Sequence, residues 1–289
     1  MLFEYLKLIR VHHWIKNAFV FVPIIFAKLF FSLDYLNQVI LAFFAFSIVS
    51  SIIYVFNDLF DIEPDKLHPR KKHRPLAVGK ISKNSANIVI AVLTLLFVFS
   101  LQLFNWKFNF ILIVYVVLNV LYTLVLKNIV IIDLICIGAG FLLRVIGGAV
   151  VIDIYISNWL ILTTLFISLF LAVMKRRSEL VIVENESETR KVLSDYSIKF
   201  IDQIATISAG AVILCYALYS VSERTISVFK TDKIIYTLIF VIFGIFRYMY
   251  LVYRKSQGES AIEIMLTDLP MLINILFYFI VITLVIYVS

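Results

Sequence analysis

Long apolar runs recur along the chain and are separated by short polar segments. Nine runs approach the roughly 20 residues that an α-helix needs to cross the hydrocarbon of a membrane. They fall at residues 14–31, 39–56, 88–104, 108–126, 131–151, 159–173, 201–221, 234–253 and 270–288. The runs are too long, and alternate too little, for the strands of a membrane barrel. The pattern therefore predicts an all-α polytopic membrane protein, a bundle of about nine transmembrane helices.

The distribution of basic residues predicts the orientation of this bundle. Placing the N-terminus inside assigns 19 of the 26 Lys and Arg residues to inner segments, with Lys16 counted at the membrane edge. Because Lys and Arg favour the cytoplasmic side, we expect a cytoplasmic N-terminus and, after nine spans, a C-terminus outside. The first run lacks a small-residue cleavage signature, so we expect it to be a retained helix.

Composition supports a membrane protein of one domain. The 289 residues are 62% hydrophobic and 16% charged, whereas soluble domains are about half apolar and about a quarter charged. The net charge of +7 is better explained by loops on an anionic leaflet than by nucleic acid, and no nucleic-acid fold signature is present. We expect a single transmembrane domain over residues 1–289, in a bilayer such as a bacterial plasma or inner membrane.

The polar segment after the second run places acidic residues first. Asp58, Asp61 and Asp65 are spaced three and four apart, which puts their carboxylates on one face of a helix. Such carboxylates repel each other unless a cation lies among them, and Mg²⁺ takes a few carboxylates together with phosphate oxygens and water. Pro64 is expected to kink or end the helix, so the shared face is better defined for Asp58 and Asp61 than for Asp65.

Basic residues follow the carboxylates at once. Arg70, Lys71 and Arg74 supply positive charge, and an Arg guanidinium can grip a phosphate with two hydrogen bonds. Together the acids and bases predict a site for a magnesium-bound pyrophosphate. The alternative is a solvated loop that only satisfies the positive-inside rule, which explains the bases equally well. It explains the aspartates less well, because a charged helix end at the membrane edge usually marks function.

A second basic group ends the sixth run. Lys175, Arg176 and Arg177 are followed by Glu179, and the spacing of Lys175 and Glu179 predicts an ion pair along a helix. These bases also satisfy the positive-inside rule, so alone they carry little information. The functional interpretation is a second clamp for phosphate groups.

Further polar candidates lie at the membrane edge or inside a run. Arg144 lies about 20 Å into the fifth run at 1.5 Å per residue. A buried Arg requires a partner or a water-filled cavity, and we interpret Arg144 as lining a polar cavity, with structural pairing as the alternative. None of the four His residues has the spacing of a zinc site. The other candidates are Lys16, Tyr122 and Lys127.

The first motif, Asn57-Asp58 with Asp61 and Asp65, resembles the first aspartate-rich motif of the UbiA prenyltransferase superfamily. With the predicted nine-helix layout, the resemblance covers essentially the whole chain. Aromatic prenyltransferases of this superfamily carry a second aspartate-rich motif after the sixth helix, where this chain has Lys175-Arg176-Arg177-Ser178-Glu179. That replacement resembles the decaprenyl-phosphate (polyprenyl-phosphate) phosphoribosyltransferase branch. Segments 14–17, 68–69, 74–75, 122–127, 140–144 and 195–196, together with Asp133, also resemble this branch.

The resemblance implies a reaction. A UbiA-like bundle of this branch would transfer the 5-phosphoribosyl group from 5-phosphoribosyl pyrophosphate (PRPP) to a polyprenyl monophosphate, releasing pyrophosphate at the cytoplasmic membrane face. The product would be a precursor for cell-wall pentose. Three phosphate-bearing groups would meet there with Mg²⁺, which accounts for basic residues in place of acids. The resemblance also suggests a homotrimer.

The resemblance implies a role for each motif residue. Asp58, Asp61 and Asp65 would hold Mg²⁺ and pyrophosphate, with Asn57 beside them, and Glu179 would hydrogen-bond a ribose hydroxyl. Asp58, Asp61, Lys175 and Arg176 would carry catalysis by stabilising the departing pyrophosphate. The donor phosphates would be bound by Arg70, Lys71 and Arg74. The 5-phosphate or the lipid phosphate would be bound by Lys175, Arg176 and Arg177. Additional substrate-binding candidates are Lys16, Tyr122, Lys127 and Arg144.

Two other functions compete with this interpretation. A UbiA-type prenyltransferase, moving a polyprenyl group from its diphosphate to an aromatic or other small acceptor, shares the fold, the metal and the first motif. The missing second acidic motif argues against it. A non-enzymatic carrier of lipid phosphates would suit intramembrane basic residues, but bare carboxylates at the same end would repel its anionic cargo.

Overall fold

The protein is all helical in the residues that its computed structural model describes. These are residues 2–67, 71–183, 195–255, 264 and 267–287. Eight helices within them are long and apolar enough to cross a membrane. They are Leu33–Phe60, Lys83–Leu103, Trp106–Leu124, Ile132–Val151, Asn158–Val181, Ile198–Val221, Lys233–Arg254 and Leu269–Tyr287. Each overlaps one of the second to ninth predicted runs, so the all-α polytopic membrane fold is confirmed.

The first predicted run is shorter than expected. Its residues form a 3-10 helix, Val11–Phe21, and one short α-helix, Val22–Phe26, instead of a helix over 14–31. Pro23 has no N–H to continue the α-helical ladder and sits in the first turn of the second piece, where proline is tolerated. Lys28 then adopts a left-handed backbone with φ of 60°, which ends the helical path. The polar side chain of Asn17 is fully buried in this segment.

Short polar side chains define where three of the long helices begin. Ser82, Asn105 and Ser197 each accept a hydrogen bond from the backbone N–H three residues later, at 3.1, 2.9 and 3.2 Å. These bonds satisfy N–H groups that a helix start otherwise leaves without a partner. The helices that they cap are Lys83–Ser100, Trp106–Leu124 and Ile198–Val221.

By packing, the chain divides into two compact units. The first comprises Met1–Lys127 and Leu143–Tyr155, and the second comprises Asn128–Leu142 and Ile156–Ser289. The helix Ile132–Val151 contributes residues to both. The expectation of one catalytic domain over the whole chain stays a prediction.

Each unit has its own apolar core. In the first unit, the ring of Phe46 packs edge-on against Phe108 and Tyr115, with centroids 5.9 and 5.2 Å apart. In the second, Phe170 packs against Tyr248 with centroids 5.7 Å apart. Edge-to-face contacts of this kind are the preferred arrangement of aromatic pairs.

One close backbone approach in the first unit depends on a glycine. A Cβ atom built on Gly148 would lie 2.0 Å from the carbonyl oxygen of Val20. The 3-10 helix Val11–Phe21 therefore lies directly against the helix Ile132–Val151 at this point. Arg144, four residues before Gly148, donates from Nε to Oδ1 of Asn17, three residues before Val20, at 2.7 Å. Residues four apart share one face of an α-helix, and residues three apart share one face of a 3-10 helix. The two contacts therefore join one face of each helix.

Candidate functional site

Two buried carboxylates share one arginine in the first unit. Asp58 and Asp65 are both buried. The Nη1 nitrogen of Arg74 donates to Asp58 Oδ1 at 3.0 Å and to Asp65 Oδ2 at 2.5 Å. A single cationic nitrogen thus bridges the two carboxylates, as expected when buried acids must be neutralised by a nearby positive charge.

The chain path through this motif differs from the prediction at Pro64. The long helix ends at Phe60, and a new helix, Ile62–Leu67, begins after Asp61. Pro64 lies in the first turn of the new helix, where its missing N–H is tolerated. The backbone N–H of Asp65 donates to the carbonyl of Asp61 at 2.8 Å. The break thus occurs at Asp61 and not at Pro64, and Asp65 still lies close enough to Asp58 to share Arg74 with it.

Asp61 points to a different partner from the other two aspartates. Its Oδ1 accepts a hydrogen bond from Nζ of Lys127 at 3.3 Å, and both side chains are mostly buried. Lys127 follows the helix Trp106–Leu124. The predicted candidates Asp61 and Lys127, which are 66 positions apart in the chain, are thus brought together in one ion pair.

The same cluster contains a residue that the sequence analysis did not select. Arg10 forms an ion pair with Asp58, and its guanidinium lies 4.8 Å from the ring centroid of Tyr54. Burial lowers the pKa of the Arg10 guanidinium from its ordinary value, and the charge of Asp58 opposes that shift. The only signal in the sequence was a basic residue just before the first run, and nothing there related it to Asp58.

The donor set of this cluster fits a magnesium ion. Asp58 and Asp65 are matched by Arg10 and Arg74, and these carboxylates could bind a cation when the arginines turn to phosphate oxygens. Mg²⁺ in proteins is usually held by one or two carboxylates with phosphate oxygens and water. Within the described ranges, no group of three His, Cys, Asp or Glu side chains is arranged to hold a metal. Asp58 and Asp65, the two carboxylates that Arg74 bridges, could supply the protein ligands, and substrate or water the rest.

Three further candidates of the first unit are half-buried, and one lies outside the described residues. Lys71 begins a short 3-10 helix, Lys71–His73, and is half-buried. Asn57 is half-buried one residue before Asp58, and its carbonyl accepts from the N–H of Asp61 at 3.0 Å. Tyr122 is half-buried near the end of its helix. Arg70 lies outside the residues that the structure describes.

Arg144 lies in a buried polar network of the first unit. Besides its bond to Asn17, it donates from Nη2 to the hydroxyl of Tyr115 at 2.5 Å. Nδ2 of Asn17 donates to Ser47 Oγ at 3.0 Å, and Ser50 Oγ lies 3.2 Å from the Tyr115 hydroxyl. The alternative of structural pairing thus has direct support, while the interpretation as a cavity-lining residue stays a prediction. Lys16 is half-buried one residue before Asn17.

In the second unit, Arg176 links two acidic side chains. It lies inside the helix Asn158–Val183, which continues ten residues beyond the predicted run. Nη2 of Arg176 donates to Asp133 Oδ2 at 2.7 Å, and Nη1 donates to Glu179 Oε2 at 2.5 Å. The basic motif thus lies on this helix, as the spacing of Lys175 and Glu179 predicted.

Tyr196 completes this arrangement from a distant part of the chain. Its hydroxyl donates to Asp133 Oδ1 at 2.7 Å and accepts from the backbone N–H of Ile131 at 2.6 Å. Burial raises the pKa of Tyr196, and the hydrogen bond to Asp133 raises it further. The hydroxyl therefore stays protonated and keeps donating to Asp133 at any ordinary pH.

The two neighbours of Arg176 have different surroundings. Lys175 lies 3.8 Å from Glu179 Oε1, which confirms the predicted ion pair along the helix. Arg177 donates from Nε to Asp202 Oδ1 at 2.7 Å and stacks 4.0 Å from the ring centroid of Tyr253. Each of the three consecutive bases therefore has an acidic neighbour in the second unit.

Comparison with known proteins identifies the family. The profile of the UbiA prenyltransferase family matches residues 20–286. This chain belongs to the UbiA prenyltransferase family. It is 33% identical over 226 residues to the decaprenyl-phosphate phosphoribosyltransferase of Mycolicibacterium smegmatis, covering 75% of this chain and 70% of that protein. It is 31% identical over 219 residues to the Mycobacterium tuberculosis H37Rv enzyme of the same name, covering 74% and 72%.

Solved structures agree with this UbiA-family assignment. A UbiA homolog from Archaeoglobus fulgidus bound to GPP and Mg²⁺ is similar with a TM-score of 0.68 at 17% identity, covering 98% of this chain and 96% of that one. At this identity the likeness shows the fold alone. The resemblance that the aspartate motif and the basic second motif indicated, to the family and to its phosphoribosyltransferase branch, is confirmed.

Proposed function

We propose that this UbiA-family protein transfers the 5-phosphoribosyl group from PRPP to a polyprenyl monophosphate, with Mg²⁺, at the cytoplasmic membrane face. The observation that carries the proposal is the mixed charge of both clusters. Buried carboxylates, which can bind a cation, are paired with arginines, which can bind phosphate. A site with two purely acidic motifs would lack these arginines. The names of the M. smegmatis and M. tuberculosis relatives support the same reaction.

The proposed chemistry forms one bond and breaks one bond. An oxygen of the lipid phosphate attacks C1 of the ribose, and the bond from C1 to the pyrophosphate oxygen breaks, with pyrophosphate taking the electron pair. The lipid phosphate is already anionic near neutral pH, so no general base is needed. Catalysis then consists of orienting the two substrates and stabilising the leaving group.

The first unit supplies the proposed pyrophosphate site. Bound Mg²⁺ would neutralise developing charge on the leaving pyrophosphate. Asp58 and Asp65 would hold it, with Asp61 and Asn57 beside them. Arg74 and Arg10 already carry positive charge to this cluster, and they would hydrogen-bond the pyrophosphate oxygens. Further proposed contacts to the donor and the acceptor come from Arg70, Lys71, Lys16, Tyr122, Lys127 and Arg144.

The basic second motif supplies the proposed contacts to the phosphoribosyl group. Lys175 is the most accessible of its three consecutive bases and would bind the 5-phosphate or the lipid phosphate. Glu179 would accept a hydrogen bond from a ribose hydroxyl. We also propose that the protein lies in a bacterial plasma or inner membrane with the site towards the cytoplasm, and that it assembles as a homotrimer.

The reaction is tested with labelled PRPP and polyprenyl phosphate, with either Mg²⁺ or EDTA present. We expect metal-dependent transfer of label into the lipid phase by the wild-type protein and its loss in Asp58→Asn. Asp153→Asn is the matched control, because Asp153 is exposed just after the helix Ile132–Val151. Its Oδ1 lies 3.6 Å from Nζ of Lys107, which is also exposed. This variant should retain wild-type transfer.

Other outcomes of the same assay identify the competing functions. Transfer of a polyprenyl group from its diphosphate to an aromatic acid, without transfer from PRPP, would replace the proposal by a prenyltransferase. Metal-independent binding of polyprenyl phosphate without any product would indicate a carrier.

A further inference from the structure

Both terminal nitrogens of Arg176 donate hydrogen bonds inside the protein. Only 4% of its side chain is exposed, and its two terminal nitrogens donate to different acids, Nη2 to Asp133 and Nη1 to Glu179. A guanidinium is planar and rigid, so fixing one terminal nitrogen also fixes the direction of the other. The position of Glu179 is therefore coupled to that of Asp133.

Asp133 is itself held from a second direction. It is completely buried, and its other oxygen accepts from the hydroxyl of Tyr196. The same hydroxyl accepts from the backbone N–H of Ile131, two residues before Asp133. The chain of contacts therefore runs from Tyr196 through Asp133 and Arg176 to Glu179, and its first three members are buried.

Glu179, the last residue in this series of contacts, is accessible to solvent. The side chain of Glu179 is 27% exposed and that of Lys175 is 53% exposed. A buried group can contact a substrate only if its present partners are broken, and a buried charge that loses its partner is costly. Glu179 and Lys175 can contact a substrate without such a loss.

We infer that Arg176 is a positioning residue, which together with Asp133 and Tyr196 aims the carboxylate of Glu179 at a hydroxyl of the donor ribose. The inference rests on the proposed function and assigns Arg176 a role different from that of a phosphate ligand. Of the three consecutive bases Lys175, Arg176 and Arg177, the inference leaves the contact to a phosphate group to Lys175, whose side chain is the most exposed.

A double-mutant cycle separates positioning from direct contact. We expect Arg176→Lys and Glu179→Gln each to lower kcat/KM for PRPP roughly ten- to hundredfold, because a small misplacement of a substrate contact has effects of this size. Lysine keeps the charge but has one nitrogen, which cannot span both acids. The double variant should be no worse than Glu179→Gln, since both changes remove the same contact. The KM for PRPP should rise, while the KM for polyprenyl phosphate should stay unchanged.

Arg177→Lys is the matched control on the same helix. Arg177 donates to Asp202, which lies outside the series of contacts from Tyr196 to Glu179, so any effect of Arg177→Lys should multiply with that of Glu179→Gln. Tyr196→Phe provides a second route if Arg176→Lys does not fold, because it removes one hydroxyl. It should raise the KM for PRPP in the wild-type background and change nothing further in Glu179→Gln.

Failure of the inference and failure of the proposed function give different results. If the wild-type protein transfers label from PRPP but the effects of Arg176→Lys and Glu179→Gln multiply, Arg176 contacts the substrate itself and the inference is overturned. An unchanged KM for PRPP in Tyr196→Phe overturns it as well. If the wild-type protein transfers nothing from PRPP, the proposed function fails and the inference falls with it.

Discussion

At the residue scale, the charged side chains of both units find partners that are distant in the chain. Arg10 and Asp58 are 48 positions apart, and Tyr196 and Asp133 are 63 positions apart. Helix spacing correctly predicted the local pair of Lys175 and Glu179. Spacing along a helix contains no information on such long-range pairs, because their geometry is set by the packing of different helices.

The first prediction at this scale concerns Arg74. Arg74→Ala leaves Asp58 and Asp65 close together without the nitrogen that bridges them. We expect it to lower the free energy of unfolding by about 2–4 kcal/mol, since breaking a buried ion pair leaves uncompensated charge. Thermal unfolding in detergent, followed by tryptophan fluorescence, measures the loss.

A second substitution distinguishes charge balance from simple loss of packing. Adding Asp65→Asn to Arg74→Ala removes the carboxylate that has lost Arg74, while Asp58 keeps its ion pair with Arg10, so it should restore most of the lost stability. If the double variant is less stable than Arg74→Ala, the bridging ion pair is not the cause. Lys66→Ala, which removes an exposed base paired with Glu63, is the control and should change little.

The second prediction concerns Arg247 in the second unit. Its Nε and Nη2 donate to the two oxygens of Asp268 at 2.9 and 2.8 Å. Asp268 Oδ1 also accepts from the N–H of Met271 at 3.1 Å, near the start of the helix Leu269–Tyr287. Arg247→Lys keeps the charge but loses the paired geometry, so we expect a loss of about 1–2 kcal/mol in unfolding free energy. The control is Arg254→Lys, at an exposed position of the helix Leu238–Lys255 that also contains Arg247. This variant should unfold at the wild-type temperature.

At the element scale, helix ends decide where the candidate residues lie. Eight of the nine runs were located correctly because hydrophobicity is a property of each segment by itself. The end at Phe60 comes earlier than the break expected at Pro64, and the extension to Val183 goes ten residues beyond the apolar run. Both ends carry candidate residues: Asp61 and Asp65 follow the first, and Lys175 to Glu179 lie just before the second. Helix ends depend on capping and packing partners, which hydrophobicity does not report.

The prediction at this scale concerns the contact between Gly148 and Val20. Gly148→Ala would place a Cβ atom against backbone, which cannot move aside as a side chain can. We expect it to lower the free energy of unfolding by about 1–3 kcal/mol through overpacking and to reduce activity, because it separates Arg144 from Asn17. Gly210→Ala is the control, since a Cβ atom there meets nothing within 4 Å. Alanine in the middle of that helix should be neutral or stabilise by up to about 1 kcal/mol.

At the scale of the whole molecule, the distribution of charge predicts the orientation in the membrane. The bias of 19 among 26 basic residues to one side predicts a cytoplasmic N-terminus.

Cysteine labelling tests this orientation. Cys136 and Cys215, the two native cysteines, are both free and buried, so introduced cysteines can be labelled selectively. We expect Lys107→Cys to react with an impermeant maleimide in intact cells and Lys72→Cys to react only after the membrane is opened. The reverse pattern would contradict the predicted orientation.

The sequence by itself determined that this is an all-α membrane protein of the UbiA family, where eight of its long helices lie, and that its first motif is acidic and its second basic. These properties depend on local hydrophobicity and on residue order, which are written directly in the chain. Only the tertiary structure decided that Arg10 and Arg74 neutralise Asp58, that Arg176 lies between Asp133 and Glu179, and that the first run becomes a 3-10 helix followed by a short α-helix. These are contacts through space, and they exist only once the helices of each unit have packed.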